Sequence, residues 1–144
     1  MNFEFSDDQR LLRDQVRRFL DDNASVKAAR TILDDGGRAY DRDLWRSIAE
    51  LGWTGAIIPE EFGGANMNRE DLCVIAEELG RSLAPTPFAS SVYLATEALL
   101  IAGDDGHKSH YLPELADGQS IGCFAMAEGV GFPTPTNVKT TFFE

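Results

Sequence analysis

Three stretches of the chain carry apolar residues at helical spacing, and each begins beside a side chain that can cap a helix. Ser6 and Gln9 can form a capping box ahead of the first stretch. Asp41 or Asp43 precedes the second stretch, and Asn68 precedes the third. The apolar positions are Leu11, Leu12, Val16, Phe19, Leu20, Leu44, Trp45, Ile48, Leu51, Leu72, Ile75, Ala76 and Leu79. Because amphipathic helices must bury their apolar faces against one another, this pattern predicts a helical fold around a common core.

Glycine and proline divide these helices from one another. Gly52 and Gly80 are predicted to end the second and third helices, since glycine readily adopts the left-handed conformation that follows a helix. The six residues Pro59–Gly64 predict an ordered turn, because Pro59 supplies no backbone N–H and interrupts any regular element.

Residues Phe88–Ala102 predict a fourth helix that is apolar almost all round, with Glu97 as its only charge. Such a helix is either buried or faces an apolar ligand. A short helical stretch follows, which Pro113 is predicted to close or kink.

The pattern changes after Gly118. Residues 121–127 form a compact apolar run bounded by turn-forming residues, which suits a buried strand, and residues 138–143 also resemble a strand. The sequence therefore predicts a mainly α chain with a helical domain over residues 1–118 and the start of a β domain over residues 119–144.

The charge balance restricts the partners. The chain has 13 Lys and Arg against 24 Asp and Glu, a net charge of −11, which repels nucleic-acid phosphates and anionic lipid. No run approaches the roughly 18 apolar residues of a membrane-spanning helix. We therefore expect a cytoplasmic protein whose partners are neither nucleic acid nor membrane. Cys73 and Cys123 show no metal or disulfide spacing, so they are expected to be reduced, buried, structural thiols.

No catalytic or metal motif stands out from the residues themselves. His107 and His110 lack further ligands nearby, so they are interpreted as surface histidines and no metal is predicted. Gly129 and Gly131 lack the third glycine of a dinucleotide-binding loop. The adjacent carboxylates Glu60 and Glu61 are interpreted as part of a solvated turn.

Three segments, taken together, resemble the acyl-CoA dehydrogenase family. Residues 58–64 are similar to its Pro-Glu-Glu-(Tyr/Phe)-Gly-Gly turn, and residues 111–118 to its Tyr-Leu-Pro-x-Leu-Ala-x-Gly stretch. Residues 122–128 are similar to the strand that usually ends in Thr-Glu. The order and spacing of the three segments agree with the family along the whole chain.

The resemblance implies an orthogonal bundle of about five helices, followed by the first strands of a truncated β-barrel domain. It implies a FAD-dependent enzyme that removes hydrogens from the α and β carbons of an acyl-CoA thioester. A carboxylate takes the α proton and the flavin takes the β hydride. The family's carboxylate lies in a C-terminal bundle, so no catalytic residue is assigned and residues 1–144 are expected to be inactive alone.

The partners that the resemblance implies are the acyl-CoA substrate and an electron-transferring flavoprotein or similar acceptor. Assembly into a homo- or hetero-oligomer would run through further domains.

Candidate binding residues also follow from the resemblance. Phe124 and Met126 match positions whose backbone contacts the flavin, and Ala127 stands where the family usually has a threonine hydroxyl. The helix at Phe88–Ala102 matches the one that lines the acyl tunnel. Its candidate substrate-binding residues are Phe88, Ser91, Leu94 and Ala95, while Leu99, Leu100 and Ile101 are expected to pack the domain.

Alternatives remain open at this point. Ordinary core packing remains the alternative for each of the candidate substrate residues, since buried helices usually face protein. Because Ala127 and residues 129–134 depart from the family pattern, a non-catalytic, pocket-shaping subunit of a heteromeric acyl-CoA dehydrogenase is the second hypothesis. A freestanding helical interaction module is the third.

Overall fold

The computed structural model describes residues 5–125, 128 and 139–141. Within them, the chain forms six α-helices and no strand. The helices are α1 Asp7–Asn23, α2 Val26–Asp34, α3 Arg42–Glu50, α4 Arg69–Ser82, α5 Glu97–Ala102 and α6 Asp105–Ala116, with a 3₁₀ turn at Glu60–Phe62 and a π-helix at Ala89–Thr96. The mainly helical prediction is confirmed. Residues 121–125 have no regular structure, and the other residues of the predicted strands lie outside the described ranges or, at 139–141, have no regular structure either.

The predicted helix starts are confirmed by their caps. The Ser6 N–H donates to Gln9 Oε1 and the Gln9 N–H donates to Ser6 Oγ, both at 3.1 Å, which completes the capping box of α1. Asp41 caps α3 by accepting from two backbone N–H groups. Asn68 Oδ1 caps α4 by accepting from the Asp71 N–H at 2.8 Å.

Two helix predictions were incomplete. Helix α4 does not end at Gly80 but continues to Ser82, and it is Leu83 that adopts the left-handed conformation, with φ of 52°. A Cβ at Gly80 would meet no atom within 4 Å, so no close contact requires glycine there, and the helix continues through it. Helix α2 was not predicted; Ser25 caps it by accepting from the Ala28 N–H at 3.2 Å.

The main core lies where α1 packs on α4, closed by α3 and the segment that follows it. Its buried members include Val16, Leu20, Leu44, Trp45, Ile48, Trp53, Ala56, Ile57, Leu72, Ile75, Leu79, Phe88 and Val92. The rings of Phe19 and Trp53 meet edge to face, with centroids 5.2 Å apart. A second, smaller cluster joins Ile58 to the buried face of α6.

A buried carboxylate joins α1 to α4. Glu78 is fully buried and accepts from Arg17 at 2.6 and 3.0 Å and from Arg81 at 2.6 Å. Arg81 also donates to Asp21 at 2.6 Å. Hydrogen bonds from Arg17 outweigh the opposing effect of burial and, with those from Arg81, lower the pKa of Glu78 below its ordinary value. The carboxylate therefore stays ionised within the helix packing.

The Pro59–Gly64 turn is ordered, as predicted. The Phe62 N–H and the Gly64 N–H both donate to Pro59 O, at 3.0 and 3.2 Å. Gly63 has φ of 83°, which favours glycine. A Cβ on Gly64 would lie 2.0 Å from the carbonyl oxygen of Ile58, so the second glycine is required by close backbone approach.

The two cysteines are free but exposed, which corrects the expectation that they are buried. Cys73 falls outside the set formed by Leu72, Ile75 and Leu79, which faces the core at helical spacing. Cys123 lies in the irregular segment after α6.

The end of α6 is fixed to the earlier part of the fold. Pro113 lies inside α6 and does not close it, since the helix runs on to Ala116. The Thr54 hydroxyl donates to Ala116 O at 2.6 Å, and the Trp45 indole N–H donates to Gly118 O at 3.0 Å. A domain boundary near Gly118 stays a prediction.

Candidate functional site

An apolar pocket of about 600 Å³ lies between the π-helix, α5, α6 and the segment that follows α6. Its lining comprises helical residues, Gly103 between α5 and α6, and residues 120–124; the helical residues are Ala95, Ala98, Leu99, Ala102, His107, Tyr111 and Leu115. Tyr111, Ile121 and Phe124 present exposed apolar surface around it. The pocket is open and can accept an apolar group without rearrangement of the helices.

The helix predicted over Phe88–Ala102 is helical throughout but changes type within its length. A π-helix spans Ala89–Thr96 and α5 continues it. The Thr96 hydroxyl donates to Ser91 O at 2.9 Å, a bond between residues five apart. π-Helices are rare, and the single-turn form within an α-helix is frequent at functional sites.

The structure separates the four candidate substrate residues. Ala95 lines the pocket, whereas Phe88 is 3% exposed in the main core, where its ring meets that of Tyr93 edge to face. Leu94 is 48% exposed on the π-helix and does not line the pocket. Ser91 is buried and turned toward the segment after α6, as described below. Their roles in substrate binding stay predictions.

The packing expected of α5 is confirmed in part. Leu99 and Leu100 pack against the buried clusters, but Ile101 is 77% exposed, so the expectation that it packs the domain is wrong. Ile101 falls on the side of α5 that turns away from both clusters. An apolar residue in a nearly all-apolar helix carries no sequence signal for which side faces solvent.

Of the candidate flavin residues, Phe124 lies at the pocket with half of its surface exposed. Among the described residues, its backbone N–H has no backbone hydrogen-bond acceptor. This fits the implied contact of a flavin ring edge with backbone groups. Met126 and Ala127 lie outside the described residues.

Ser91 joins the π-helix to the segment that leads to Phe124. Its side chain is 1% exposed, and Ser91 Oγ accepts from the Gly122 N–H at 3.2 Å. Gly122 lies against Ala95, where an added Cβ would stand 2.4 Å from Ala95 Cβ. Sequence reasoning missed this contact, because no pattern reports a pairing between residues so far apart.

His107, a polar residue of the pocket lining, lies in the first turn of α6. Asp104 caps the helix by accepting from the His107 N–H at 2.8 Å, and its carboxylate also pairs with His107 Nδ1 at 2.9 Å. The backbone hydrogen bond from His107 is the main cause that lowers the pKa of Asp104. His107 and His110 are both exposed, as expected for surface histidines. The part of the chain that the structure describes brings no three His, Cys, Asp or Glu side chains together as a metal site.

Glu128 is held by the backbone of residues that follow it. It accepts from the N–H groups of Lys139 and Thr140, the latter at 2.9 Å, and from the Thr140 hydroxyl. The hydrogen bond from the Thr140 side chain leads the effects that lower the pKa of Glu128. These contacts tie Glu128 to residues 139 and 140 of the same chain.

None of the described helices combines the length and apolar character needed to cross a membrane.

Comparison with known proteins identifies the domain. The sequence model of the acyl-CoA dehydrogenase N-terminal domain matches residues 6–119. The chain is 40% identical over 118 residues to acyl-CoA dehydrogenase IpdE2 of Mycolicibacterium smegmatis, an alignment that covers 81% of this chain and 36% of that protein. The chain thus spans about a third of the length of the curated relatives it matches.

Solved structures show the same fold. The ChsE4–ChsE5 complex from Mycobacterium tuberculosis matches with a TM-score of 0.81 and 25% identity, over 92% of this chain and 36% of that one. An acyl-CoA dehydrogenase complexed with FAD from Bacillus anthracis matches with a TM-score of 0.76 and 23% identity, over 90% of this chain and 22% of that one. With its three motifs, its helical fold and a family match over most of its length, the chain belongs to the acyl-CoA dehydrogenase family, as an N-terminal domain.

Proposed function

We propose that this chain is the N-terminal portion of a FAD-dependent acyl-CoA dehydrogenase, which oxidises the α,β bond of an acyl-CoA thioester. The observation that carries the proposal is the family match over residues 6–119. FAD, when bound, supplies the two-electron acceptor, and an electron-transferring flavoprotein or similar protein then takes the electrons. Residues 1–144 alone are expected to turn over no acyl-CoA, because the family's base belongs to a later domain.

The described residues have two parts in this function. Phe124, which is half exposed at the pocket, offers its backbone to the flavin ring edge, as do Met126 and Ala127, which lie outside the described residues. Leu94 offers exposed apolar surface on the π-helix to the acyl chain. Ala95, the residue after Leu94, lines the pocket together with Phe124. These residues bind and orient, and none of them moves a proton.

The test uses the complete gene product. We expect a flavin absorbance band in the purified protein and acyl-CoA-dependent reduction of an artificial electron-accepting dye. A product with neither flavin nor dye reduction, alone or with any co-purifying chain, would rule the proposal out.

A matched pair of leucine variants tests the acyl contact. Leu94→Ala should raise KM for acyl-CoA about ten-fold, the effect of losing roughly 1.4 kcal/mol of apolar contact. Leu51→Ala removes a side chain of similar exposure, 50%, at the end of α3 and outside the pocket lining, and should leave KM unchanged. Equal KM values for the two variants would remove Leu94 from the site.

A second candidate function is a pocket-shaping subunit of a heteromeric acyl-CoA dehydrogenase. It is favoured by Ala127, which lacks the hydroxyl usual in the family, and by the likeness to one chain of the ChsE4–ChsE5 complex. Co-purification with a second, complete dehydrogenase chain that carries the flavin would support it. A flavin-loaded, active homo-oligomer would exclude it.

A further inference from the structure

Ser91 was a candidate substrate contact, but its geometry gives it a different task. The side chain is 1% exposed and its Oγ accepts from the Gly122 N–H at 3.2 Å. A buried hydroxyl committed to a backbone N–H is directed at the segment after α6 and away from solvent. Ser91 also does not line the pocket.

A steric contact reinforces the hydrogen bond. Ala95 lies one helical turn beyond Ser91, and Gly122 is so close to it that an added Cβ would stand 2.4 Å from Ala95 Cβ. Only glycine fits at this position without movement of one of the two segments. The hydrogen bond and the close packing together fix Gly122 against the π-helix in one place.

Both sides of this contact are themselves held in place. On the helix side, Thr96 is fully buried, and its hydroxyl donates a hydrogen bond to Ser91 O at 2.9 Å. On the other side, the Ser120 N–H donates to Glu114 O at 3.0 Å and the Ser120 hydroxyl donates to Glu114 Oε2 at 2.6 Å. Gly122 is therefore set between two anchored segments.

We propose that Ser91, Ala95 and Gly122 form a junction that positions the flavin-contacting segment against the substrate-lining helix, with Ser91 as a positioning residue. The junction lies two residues before Phe124, whose backbone is the described flavin candidate, so a shift at Gly122 displaces the Phe124 peptide group. The inference rests on the proposed function for the identity of the ligand, although the junction itself is a property of this chain.

The first test is Ser91→Ala in the complete gene product, with Ser90→Ala as the matched control. The Ser90 hydroxyl donates to Pro87 O, just before its own helix, and makes no contact with Gly122, so its removal leaves the junction intact. Ser91→Ala leaves the Gly122 N–H without its partner, and we expect FAD to bind about ten-fold more weakly and kcat to fall, with KM for acyl-CoA within about two-fold. A raised KM with unchanged FAD affinity would identify Ser91 as a substrate contact and overturn the proposal.

A second variant pair tests the steric contact. Gly122→Ala should also weaken FAD binding, and adding Ala95→Gly should restore most of the affinity, because it removes the atom that the new methyl group meets. Circular dichroism of each variant shows whether the helices are retained. A folded Gly122→Ala protein with wild-type FAD affinity would contradict the proposal.

Hydrogen exchange separates failure of the junction from failure of the proposed function. If the wild-type product holds no flavin, the exchange rate of the Gly122 amide still reports the junction. Exchange at least about ten-fold faster in Ser91→Ala than in Ser90→Ala supports it, since an amide that has lost its hydrogen bond no longer needs the segment to open before it exchanges. Equal rates in the two variants overturn it.

Discussion

Two apolar surfaces of this domain differ in what covers them. Between α1 and α4, the side chains of Leu20 and Ile75 are fully buried by other helices of the same chain. Tyr111, Ile121 and Phe124 line the pocket and are 41–50% exposed, and Ile101, which precedes the pocket-lining Ala102 in the chain but does not itself line the pocket, is 77% exposed. We call these four residues the open face.

The difference shows which part of the sequence serves the fold. Apolar residues of α1 and α4 are explained by the packing of the domain itself. Those of the open face gain little from that packing, and grouped apolar exposure of this kind is typical of an interaction or ligand surface. Apolar residues that leave much of their surface exposed within the domain are therefore the candidates for binding.

The largest expected effect tests the closed surface. Ile75→Ala should lower the free energy of unfolding by about 3 kcal/mol, because it removes a fully buried side chain and leaves a cavity. Urea unfolding followed by circular dichroism measures it. A loss below about 1 kcal/mol would show that the α1–α4 contact is less tightly packed than its burial indicates.

An intermediate effect is expected at the buried carboxylate. Glu78→Gln should lower the free energy of unfolding by about 2 kcal/mol at neutral pH. The loss should be smaller than for a fully buried ion pair, because the side chains of Arg17 and Arg81 are 45% and 40% exposed. Glu77→Gln, on the exposed side of the same helix, is the control and should cost almost nothing.

The pH dependence of this effect has a defined sign. The pKa of Glu78 is lowered in the folded chain from 4.5, so its stabilisation is present above that value and is lost as the pH falls through the lower folded pKa. The difference between wild type and Glu78→Gln should therefore shrink below about pH 4.5. A difference that stays constant with pH would show that the ionised carboxylate is not what stabilises the pair.

The smallest effect is expected on the open face. Ile101→Ala is chemically the same change as Ile75→Ala, but at 77% exposure it should alter the stability of residues 1–144 by less than about 0.5 kcal/mol. The same variant in the complete gene product sharpens the comparison, since a clearly larger loss there means that another domain or subunit covers Ile101. A loss near that of Ile75→Ala in residues 1–144 would remove the distinction between the two surfaces.

The sequence predicted the elements that short-range chemistry determines. Ser6, Asp41 and Asn68 each mark a helix start, since a cap bonds to backbone only two or three residues away. The end of α4 was not predictable, because Leu83 takes a left-handed conformation that leucine normally avoids. Helix α2 is not predicted by the sequence, because it has no acidic residue in its first turn and its apolar residues Val26 and Leu33 are exposed.

The candidate site was predicted less well, for a physical reason. The family resemblance indicated the right helix, but it could not tell which residues of a nearly all-apolar helix face inward. Phe88 belongs to the core and Ile101 to the surface, although both are large apolar residues of one segment. The contact of Ser91 with Gly122 depends on the three-dimensional approach of two segments, which no spacing rule contains.

The anchored end of α6 has a consequence for how the domain can move. Ala116 accepts a hydrogen bond from Thr54, Gly118 accepts one from Trp45, and Ser120 donates one to Glu114. Three alternate residues of the chain are therefore fixed by hydrogen bonds to the helical domain. A hinge needs a few consecutive residues that are free to change their backbone angles. Residues 116–120 lack this freedom, so they should move as a rigid continuation of α6. A tilt of the helical domain would then displace Gly122 by the same rotation.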